Sequence, residues 1–290
     1  MKIVGLGRAG CSIAKTFSKF PQYKTCGIDT SKDADITIKV RESHEAYDEH
    51  FPNLKKRLKV INSDVYVIVA GSGKISGGIL RLLEQLKGNK IKVVYIQPDL
   101  ALASEVQKIQ ERIVRNVLQE YARSGLLETI YLIDNQMVER GIGDVPILGY
   151  YDVLNQAIVN TLHMINVFEN SEAVMGSFIQ PSLVSRIATL GIVNIEEKEE
   201  KWFYDLTNGR DVVYYYGINE EELKEDGSLF GNITDYVKAQ IMPGVNVSYG
   251  VFQTSYEQKY CYCIKYSSMV QSFIDDREIS RSYSNPKKGK

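Results

Sequence analysis

The sequence of 290 residues has only seven prolines, four cysteines, three histidines and one tryptophan. Its formal net charge is −1, so a general electrostatic attraction to nucleic acid or to an acidic membrane is not expected. No cysteine pair has metal-ligand spacing with a nearby histidine, which argues against a metal site and predicts reduced cysteines. No apolar run is long enough to span a bilayer, and no signal peptide precedes the first predicted strand. We therefore expect a cytoplasmic protein.

Short apolar runs alternate with helical patterns through the first half of the chain. Strands are predicted over residues 2–4, 24–28, 35–40, 65–70, 91–96 and 129–133. Helices are predicted over residues 11–18, 78–86 and 103–123. This alternation predicts a doubly wound, mainly parallel α/β sheet. His44 and His50 lie in the charged stretch 41–59, which we predict to be a solvated surface helix and loop.

A different pattern follows in the second half. A long amphipathic helix is predicted over 151–167, and His163 is expected to pack beside its apolar stripe. Pro181 is predicted to open another helix that ends near Gly191. The remaining elements are a strand over 211–217, a helix over 231–241 and a hairpin of strands 245–254 and 259–266. This order predicts a smaller α+β domain.

The first glycine-rich loop, Gly5-x-Gly7-x-x-Gly10, follows a strand and opens a helix. Glycines let the backbone approach an anion, and a helix N-terminus offers unpaired N–H groups. Asp29 ends the next strand 19 residues after Gly10, where a dinucleotide-binding domain places its ribose-binding acid. By itself, this loop is compatible with an NAD-dependent oxidoreductase.

A second glycine-rich loop, residues 71–78, also runs from an apolar strand into a helix. It does not match a phosphate-binding Walker A loop, because Ile75 replaces the required Ser or Thr and Ile68 replaces the upstream glycine. A dinucleotide needs one pyrophosphate cradle, whereas the three phosphates of a nucleoside triphosphate can use two. The presence of two loops therefore counts against a dehydrogenase.

Together the two loops resemble those of the tubulin/FtsZ superfamily of nucleotide-dependent filament proteins. The second loop of that family has the form Gly-Gly-Thr-Gly-Ser/Thr-Gly. Residues 72–77 keep its Gly73, Ser76 and Gly77, and depart from it at Lys74 and Ile75. The resemblance continues in the segment Ile133-Asp134-Asn135-Gln136 after the sixth strand and in Asp152-Val153-Leu154 at the start of the long helix.

The resemblance implies GTP or GDP as the ligand, with Mg²⁺ as a candidate companion ion. Asn135 and Asp152 match the residues that contact guanine in the family. An acid such as Asp152 accepts two hydrogen bonds from guanine that adenine cannot donate in the same pattern. The residues implied for nucleotide binding are Gly5, Gly7, Arg8, Ala9, Gly10, Asp29, Thr30, Gly71, Ser72, Gly73, Lys74, Ser76, Gly77, Glu105, Asn135 and Asp152.

Catalysis in the family depends on a loop after the central helix, Asn-x-Asp-x-x-Asp, whose acids act on the nucleotide of the next subunit. The corresponding stretch here, 177–182, has no carboxylate. Anchored on Gly191, the alignment puts Ile179 and Ser182 in the places of the acids. Gln180 and Glu172 are the candidate catalytic residues that remain.

The implied protein is a cytoskeletal homopolymer that assembles head to tail and hydrolyses GTP slowly or not at all. The expected parts are a Rossmann-like nucleotide-binding domain, the central helix, a C-terminal α+β domain, and a tail with a basic end that is a candidate adaptor site. Their predicted ranges are 1–150, 151–175, 176–270 and 271–290. Two alternatives stay open, a nucleotide-binding scaffold that forms no filaments and a Rossmann-type NAD-dependent oxidoreductase.

Overall fold

The computed structural model describes residues 1–60, 62–101 and 103–272, so the predicted basic end of the tail and its adaptor role lie outside the described residues. The strands are β1 (Lys2–Leu6), β2 (Lys24–Asp29), β3 (Ile36–Thr37), β4 (Asp64–Ala70), β5 (Lys90–Gln97), β6 (Thr129–Asp134), β7 (Met175–Ser177), β8 (Ile187–Asn194), β9 (Glu199–Trp202), β10 (Gly209–Asn219), β11 (Asn246–Thr254) and β12 (Tyr260–Ser267). The helices are α1 (Gly7–Phe17), α2 (His44–Glu49), α3 (Lys55–Leu58), α4 (Ile79–Gln85), α5 (Glu105–Arg123), α6 (Asn135–Ile142), α7 (Tyr150–Glu169), α8 (Glu220–Glu225) and α9 (Leu229–Ala239). A 3₁₀ turn covers Lys74–Gly78.

The described strands join one sheet in the order β3-β2-β1-β4-β5-β6-β8-β12-β10-β11-β7, with β9 paired to β8. The strands β1 to β6 pair in parallel. From β1 the chain moves outward to β2 and β3, then crosses to β4 on the other side of β1. This arrangement confirms the predicted doubly wound, mainly parallel sheet. Its switch point lies between β1 and β4, where such sheets bind their ligands at the carboxyl ends of the strands.

Apolar residues cover both faces of the parallel part of the sheet. On one face, Leu82 of α4 and Leu118 of α5 belong to a buried cluster with residues of β4 and β5. On the other face, Ile13 of α1 packs with Ile158 and Leu162 of α7. His163 is buried in α7, stacked on Phe20 at 3.8 Å between ring centroids, as predicted for a packed helix histidine.

The helix predicted after Pro181 is wrong, because residues Ile187–Asn194 form strand β8. Both edges of β8 are paired, with β12 on one side and with β6 and β9 on the other. Gly191 lies in mid-strand opposite Cys263, and a Cβ there would lie 2.7 Å from the ring of Trp202. Gly191 therefore marks no helix end, and the alignment of Ile179 and Ser182 with catalytic acids loses its anchor.

The predicted hairpin is also wrong, because β11 and β12 do not pair with each other. Strand β10 lies between them, parallel to β11 and antiparallel to β12. Most of β10 is buried, so both of its edges need partners for their backbone hydrogen bonds. The predicted edge strand 35–40 shortens to Ile36–Thr37. Because β6 pairs with β8, the sheet continues across Gly176, the predicted start of the C-terminal domain. The domain boundaries stay a prediction.

Candidate functional site

The two glycine-rich loops meet at the switch point, at what we call the upper edge of the sheet, where the parallel strands have their carboxyl ends. An ideal Cβ on Gly7 would lie 2.8 Å from Cγ2 of Ile75, so the loops are in direct contact. Arg8 follows this contact in one loop, Lys74 precedes it in the other, and both side chains are exposed. Two cations therefore flank the place where the loops meet.

Glycines of the first loop allow close backbone packing. A Cβ on Gly5 would lie 2.2 Å from the carbonyl oxygen of Gly10. A Cβ on Gly10 would lie 2.4 Å from the carbonyl oxygen of Ile68 in β4. Any side chain at these two positions would push the first turn of α1 away from β1 and β4. The first turn of α1 can therefore lie directly above the switch point.

The second loop depends on glycine for the same reason. A Cβ on Gly71 would lie 1.9 Å from the hydroxyl of Tyr95, and one on Gly77 would lie 2.0 Å from the carbonyl oxygen of His44. Gly73 differs, because the nearest atom to its Cβ would be a methyl of Ile75 at 3.9 Å. Among these loop glycines, space remains beside Gly73, next to the contact between the loops.

Unsatisfied N–H groups add positive potential at this place. Helix α1 begins at Gly7 with Leu6 as its N-cap; no side chain of the described residues caps it, and its first turn has no acid. The 3₁₀ turn begins at Lys74 after Gly73, again without a capping side chain from the described part of the chain. Such N-termini carry partial positive charge and bind anions.

Ser76 lies behind the second loop. Its side chain is fully buried, and its hydroxyl lies 2.7 Å from the carbonyl oxygen of Gly73 and 2.9 Å from that of Gly71. His44 stands on its far side, with Nε2 at 3.4 Å from the Ser76 hydroxyl. His44 is half-buried and burial lowers its pKa, so it is less solvated than predicted, whereas His50 is exposed as predicted. In this structure the Ser76 hydroxyl therefore hydrogen-bonds to the backbone of its own loop.

A cleft of about 360 Å³, which we call the upper cleft, opens after the ends of β5 and β6, on the same edge of the sheet as the loops. Its lining residues are Asp99, Asn135, Gln136, Glu139, Arg140, Tyr150 and Tyr151. Asn135, predicted from the sequence, therefore lies in a cleft. Asp152 follows Tyr151 in the first turn of α7 and is exposed.

A hydrogen bond ties the helix of the upper cleft to the helix of the first loop. The side-chain amide of Asn155 in α7 donates to the hydroxyl of Ser12 in α1 at 3.0 Å. Asn155 lies one turn after Tyr151 on α7, and Ser12 lies just after the glycine loop in α1. The helix that begins at the upper cleft and the helix of the first loop are thus held against each other.

The other predicted residues lie at different distances from this surface. Asp29 and Thr30 are half-buried at the carboxyl end of β2, which pairs with β1. Glu105 is exposed and pairs with Lys108 at 2.9 Å, and it does not line the upper cleft. Asp99 lines the cleft instead. Sequence reasoning missed Asp99, although its position two residues after the end of strand β5 was a usable signal.

Mg²⁺ has no preformed protein site at these loops. The described residues contain no group of three or more His, Cys, Asp or Glu side chains that could hold a metal ion. The Ser76 hydroxyl, the type of group that ligates Mg²⁺ in other nucleotide-binding loops, faces carbonyl oxygens of its own loop. The residues present therefore do not fit a protein-built Mg²⁺ site.

A larger cleft of about 770 Å³ lies at the lower edge of the sheet, where the parallel strands begin, and we call it the lower cleft. Lys90 and Thr129 line it from the starts of β5 and β6, Phe168 and Glu169 from the end of α7, and the loop 178–186 from the side. Helix α7 therefore reaches from the upper cleft to the lower cleft.

Of the two candidate catalytic residues, one lies at the lower cleft and the other does not. Gln180 lines it, whereas Glu172 is exposed and is not part of its lining. The acid from α7 that the structure brings to the cleft is Glu169. One carboxylate oxygen of Glu169 lies 3.4 Å from Nζ of Lys92, and the other accepts a hydrogen bond from the Tyr215 hydroxyl at 3.4 Å. Glu169 is thus held by two neighbours.

Comparison with solved structures identifies the fold. The TubZ GDP-form protofilament of Bacillus thuringiensis serovar israelensis aligns at a TM-score of 0.74 and 16% identity, over 97% of this chain and 90% of that one. The GTPγS-bound protofilament of CetZ2 from Haloferax volcanii aligns at 0.70 and 15% identity, over 98% and 97%. An FtsZ dimer from M. jannaschii aligns at 0.68 and 13% identity, over 92% and 87%. The chain has the fold of the tubulin/FtsZ superfamily.

Comparisons of the sequence with protein families and with curated proteins identify no relative. Among the described residues, none of the helices combines the length and the apolar character needed to cross a bilayer.

Proposed function

We propose that this protein binds a guanine nucleotide at the upper edge of its sheet and assembles head to tail into cytoskeletal filaments. The observation that carries the proposal is the contact between the two glycine loops at Gly7 and Ile75, on the same edge of the sheet as the upper cleft. A phosphate chain at the loops and a base in the cleft would then belong to one ligand.

The charges at the loops suit a polyphosphate. Arg8 and Lys74 are exposed cations on either side of the loop contact. The N-termini of α1 and of the 3₁₀ turn add N–H donors there. A nucleoside triphosphate would gain more from this pair of loops than a dinucleotide, which has a single pyrophosphate.

The residues near the upper cleft suit guanine. Asn135 offers an amide donor and acceptor in the cleft, and Asp152 is an acceptor one residue beyond Tyr151 at its rim. The N1 and N2 groups of guanine donate two hydrogen bonds to one carboxylate, which adenine cannot do. Tyr150 and Tyr151 line the cleft and offer aromatic faces to a base.

Self-assembly is supported by the structures that share this fold. The TubZ and CetZ2 structures are described as protofilaments, and a two-stranded helical TubZ filament also aligns with this chain at a TM-score of 0.66. In a head-to-tail stack, the lower cleft of one copy would face the upper edge of the next. Gln180 and Glu169 would then stand near the neighbour's nucleotide.

Slow or absent hydrolysis completes the proposal. The loop 177–182 carries no acid, and the Glu169 carboxylate already faces Lys92 and Tyr215. Loss of a positioned general base removes a factor of roughly 10²–10⁴ in rate. Filaments that hydrolyse slowly would persist, or would need a partner to disassemble.

Calorimetric titration of the protein with GTP, ATP and NAD tests the ligand. We expect binding of GTP in preference to ATP and NAD. Replacing Asp152 with Ala leaves two guanine donors unpaired, at a cost of roughly 1–3 kcal/mol, so GTP affinity should fall about 10- to 100-fold. Asp235→Ala removes the same charge from an exposed position in α9 that lines neither cleft, and it serves as the control. Tight NAD binding without GTP binding would instead support the oxidoreductase.

Sedimentation of the wild-type protein with GTP and with GDP tests assembly. Polymer in the pellet with GTP supports the filament. GTP binding without any pellet across a wide protein range would support the non-polymerising scaffold.

A further inference from the structure

The loop between α6 and α7, residues 143–149, presents two large apolar side chains to solvent, and we call it the upper loop. Ile147 is 93% exposed and Leu148 is 91% exposed. Gly143 and Gly149 frame the loop with φ of +91° and +80°, and no atom lies within 4 Å of a Cβ built on either. Two adjacent aliphatic side chains with this exposure make the upper loop a candidate interaction site.

The lower cleft has an apolar rim at the other end of the molecule. Phe178, Ile179 and Leu183 line it, and Leu183 is 83% exposed. Its volume of about 770 Å³ exceeds what two aliphatic side chains need. The buried Ser185 hydroxyl also lines the cleft and has no hydrogen-bond partner among the described residues.

Helix α7 joins these two surfaces. It begins at Tyr150, directly after the upper loop, and ends at Glu169 in the lower cleft. Its 20 residues span about 30 Å at 1.5 Å per residue. The two apolar surfaces therefore cannot cover each other within one copy. Different surfaces at opposite ends of a molecule form a heterologous contact, which repeats from copy to copy.

We propose that Ile147 and Leu148 of one copy insert into the lower cleft of the next copy. This inference rests on the proposed head-to-tail assembly and names the contact that holds it. Charge is compatible with the pairing, because the cleft lining has three cations, Lys90, Lys92 and Arg186, against two acids, Glu128 and Glu169, whereas the upper loop carries the exposed Asp144. The partner of the upper loop is thus a second copy of this chain.

Two variants separate the ends of the contact. The upper variant carries Ile147→Asp and Leu148→Asp, and the lower variant carries Leu183→Asp. These side chains are so exposed that the monomer should fold normally, which circular dichroism checks. Burial of an aliphatic side chain contributes about tenfold or more to an association constant. We therefore expect the protein concentration needed for a GTP-dependent pellet to rise at least tenfold for the lower variant and about 100-fold for the upper variant.

A mixture of the variants provides the decisive test. Each variant keeps the surface that the other has lost, so one intact contact can form between them. Analytical ultracentrifugation of an equimolar mixture with GTP should show heterodimers that do not grow further, whereas each variant alone stays monomeric. The upper variant can also be added to wild-type protein in a substoichiometric amount. It should then bind one filament end through its intact lower cleft and block growth at that end.

Ile113→Asp supplies the matched control. Ile113 is 50% exposed in the middle of α5, away from both ends, so this variant should pellet like wild type. Wild-type pelleting by both end variants, with GTP binding retained, would overturn the inference and leave the proposed function standing. A wild-type protein that binds GTP but never assembles would overturn both.

Discussion

Replacing Gly7 with alanine tests whether the two loops meet as the structure has them. Gly7 has φ of +75°, a left-handed conformation that costs a residue with a Cβ roughly 1–2 kcal/mol. The new Cβ would also lie 2.8 Å from Cγ2 of Ile75, so the Ile75 side chain must move. Driving a side chain off its rotamer costs about 0.5–1.5 kcal/mol. We expect a total loss in the free energy of unfolding of roughly 1.5–3.5 kcal/mol.

Gly125→Ala is the matched control for the backbone cost. Gly125 has φ of +82°, and no heavy atom lies within 4 Å of its Cβ position. Its substitution should therefore cost only the backbone term, roughly 1–2 kcal/mol, and should leave GTP affinity unchanged. Gly7→Ala should in addition weaken GTP binding, because it disturbs the contact between the loops.

A double-mutant cycle isolates the contribution of Ile75. Ile75→Ala removes the methyl that the new Cβ would meet, so its cost should be smaller in the Gly7→Ala background than in wild type by about 0.5–1.5 kcal/mol. Urea unfolding followed by circular dichroism measures all four proteins. Additive costs, together with equal losses for Gly7→Ala and Gly125→Ala, would refute the contact between the loops.

Three further substitutions test other parts of the structure. The fully buried Arg115 lies 3.0 Å from the Glu111 carboxylate, and Glu111→Ala removes that charge. We expect the free energy of unfolding in urea to fall by about 3–5 kcal/mol. Glu120→Ala breaks an exposed pair with Arg123 and should lower it by no more than about 1 kcal/mol. Burial lowers the pKa of His163 below the ordinary value of 6.5, so the unfolded chain binds this proton more readily. The free energy of unfolding should therefore fall as the pH drops through 6.5, and thermal melts should show a shallower fall for His163→Gln. Ser182→Asp places a carboxylate in the lower cleft and should raise assembly-dependent phosphate release at least about tenfold. Ser182→Asn, which adds no carboxylate, should leave the rate unchanged. Equal rates for the two variants would contradict the proposal that hydrolysis is slow because a general base is missing.

The parallel half of the fold could be predicted because its signals are local. A strand buried on both faces, such as β4, is a continuous apolar run, and the loop that follows it lies at the carboxyl edge of the sheet. Asn135 comes directly after β6, but its link to a ligand came from the resemblance of its segment to a known family. The resemblance of the loops to a known family then linked them to one ligand, which spacing alone could not do.

The second half could not be predicted in the same way because its structure depends on pairing between distant segments. A short apolar run such as Ile187–Asn194 fits a buried strand or a buried helix equally well, and only pairing with β12 and β6 decides for the strand. The alternating patterns of β11 and β12 indicate strands but not their partners, so nothing local shows that β10 lies between them. A loop motif also does not predict where a single hydroxyl points, as the Ser76 hydroxyl shows.

The two ends of the molecule are related through helix α7, which connects them. Helix α7 is held at its start through Asn155 and α1, and at its end through Glu169, Lys92 and Tyr215. A heterologous contact closes into a ring or continues as a filament according to the rotation between the two surfaces that meet. Since both surfaces adjoin α7, that rotation is a property of the folded monomer, and it should change little between the free and the assembled protein.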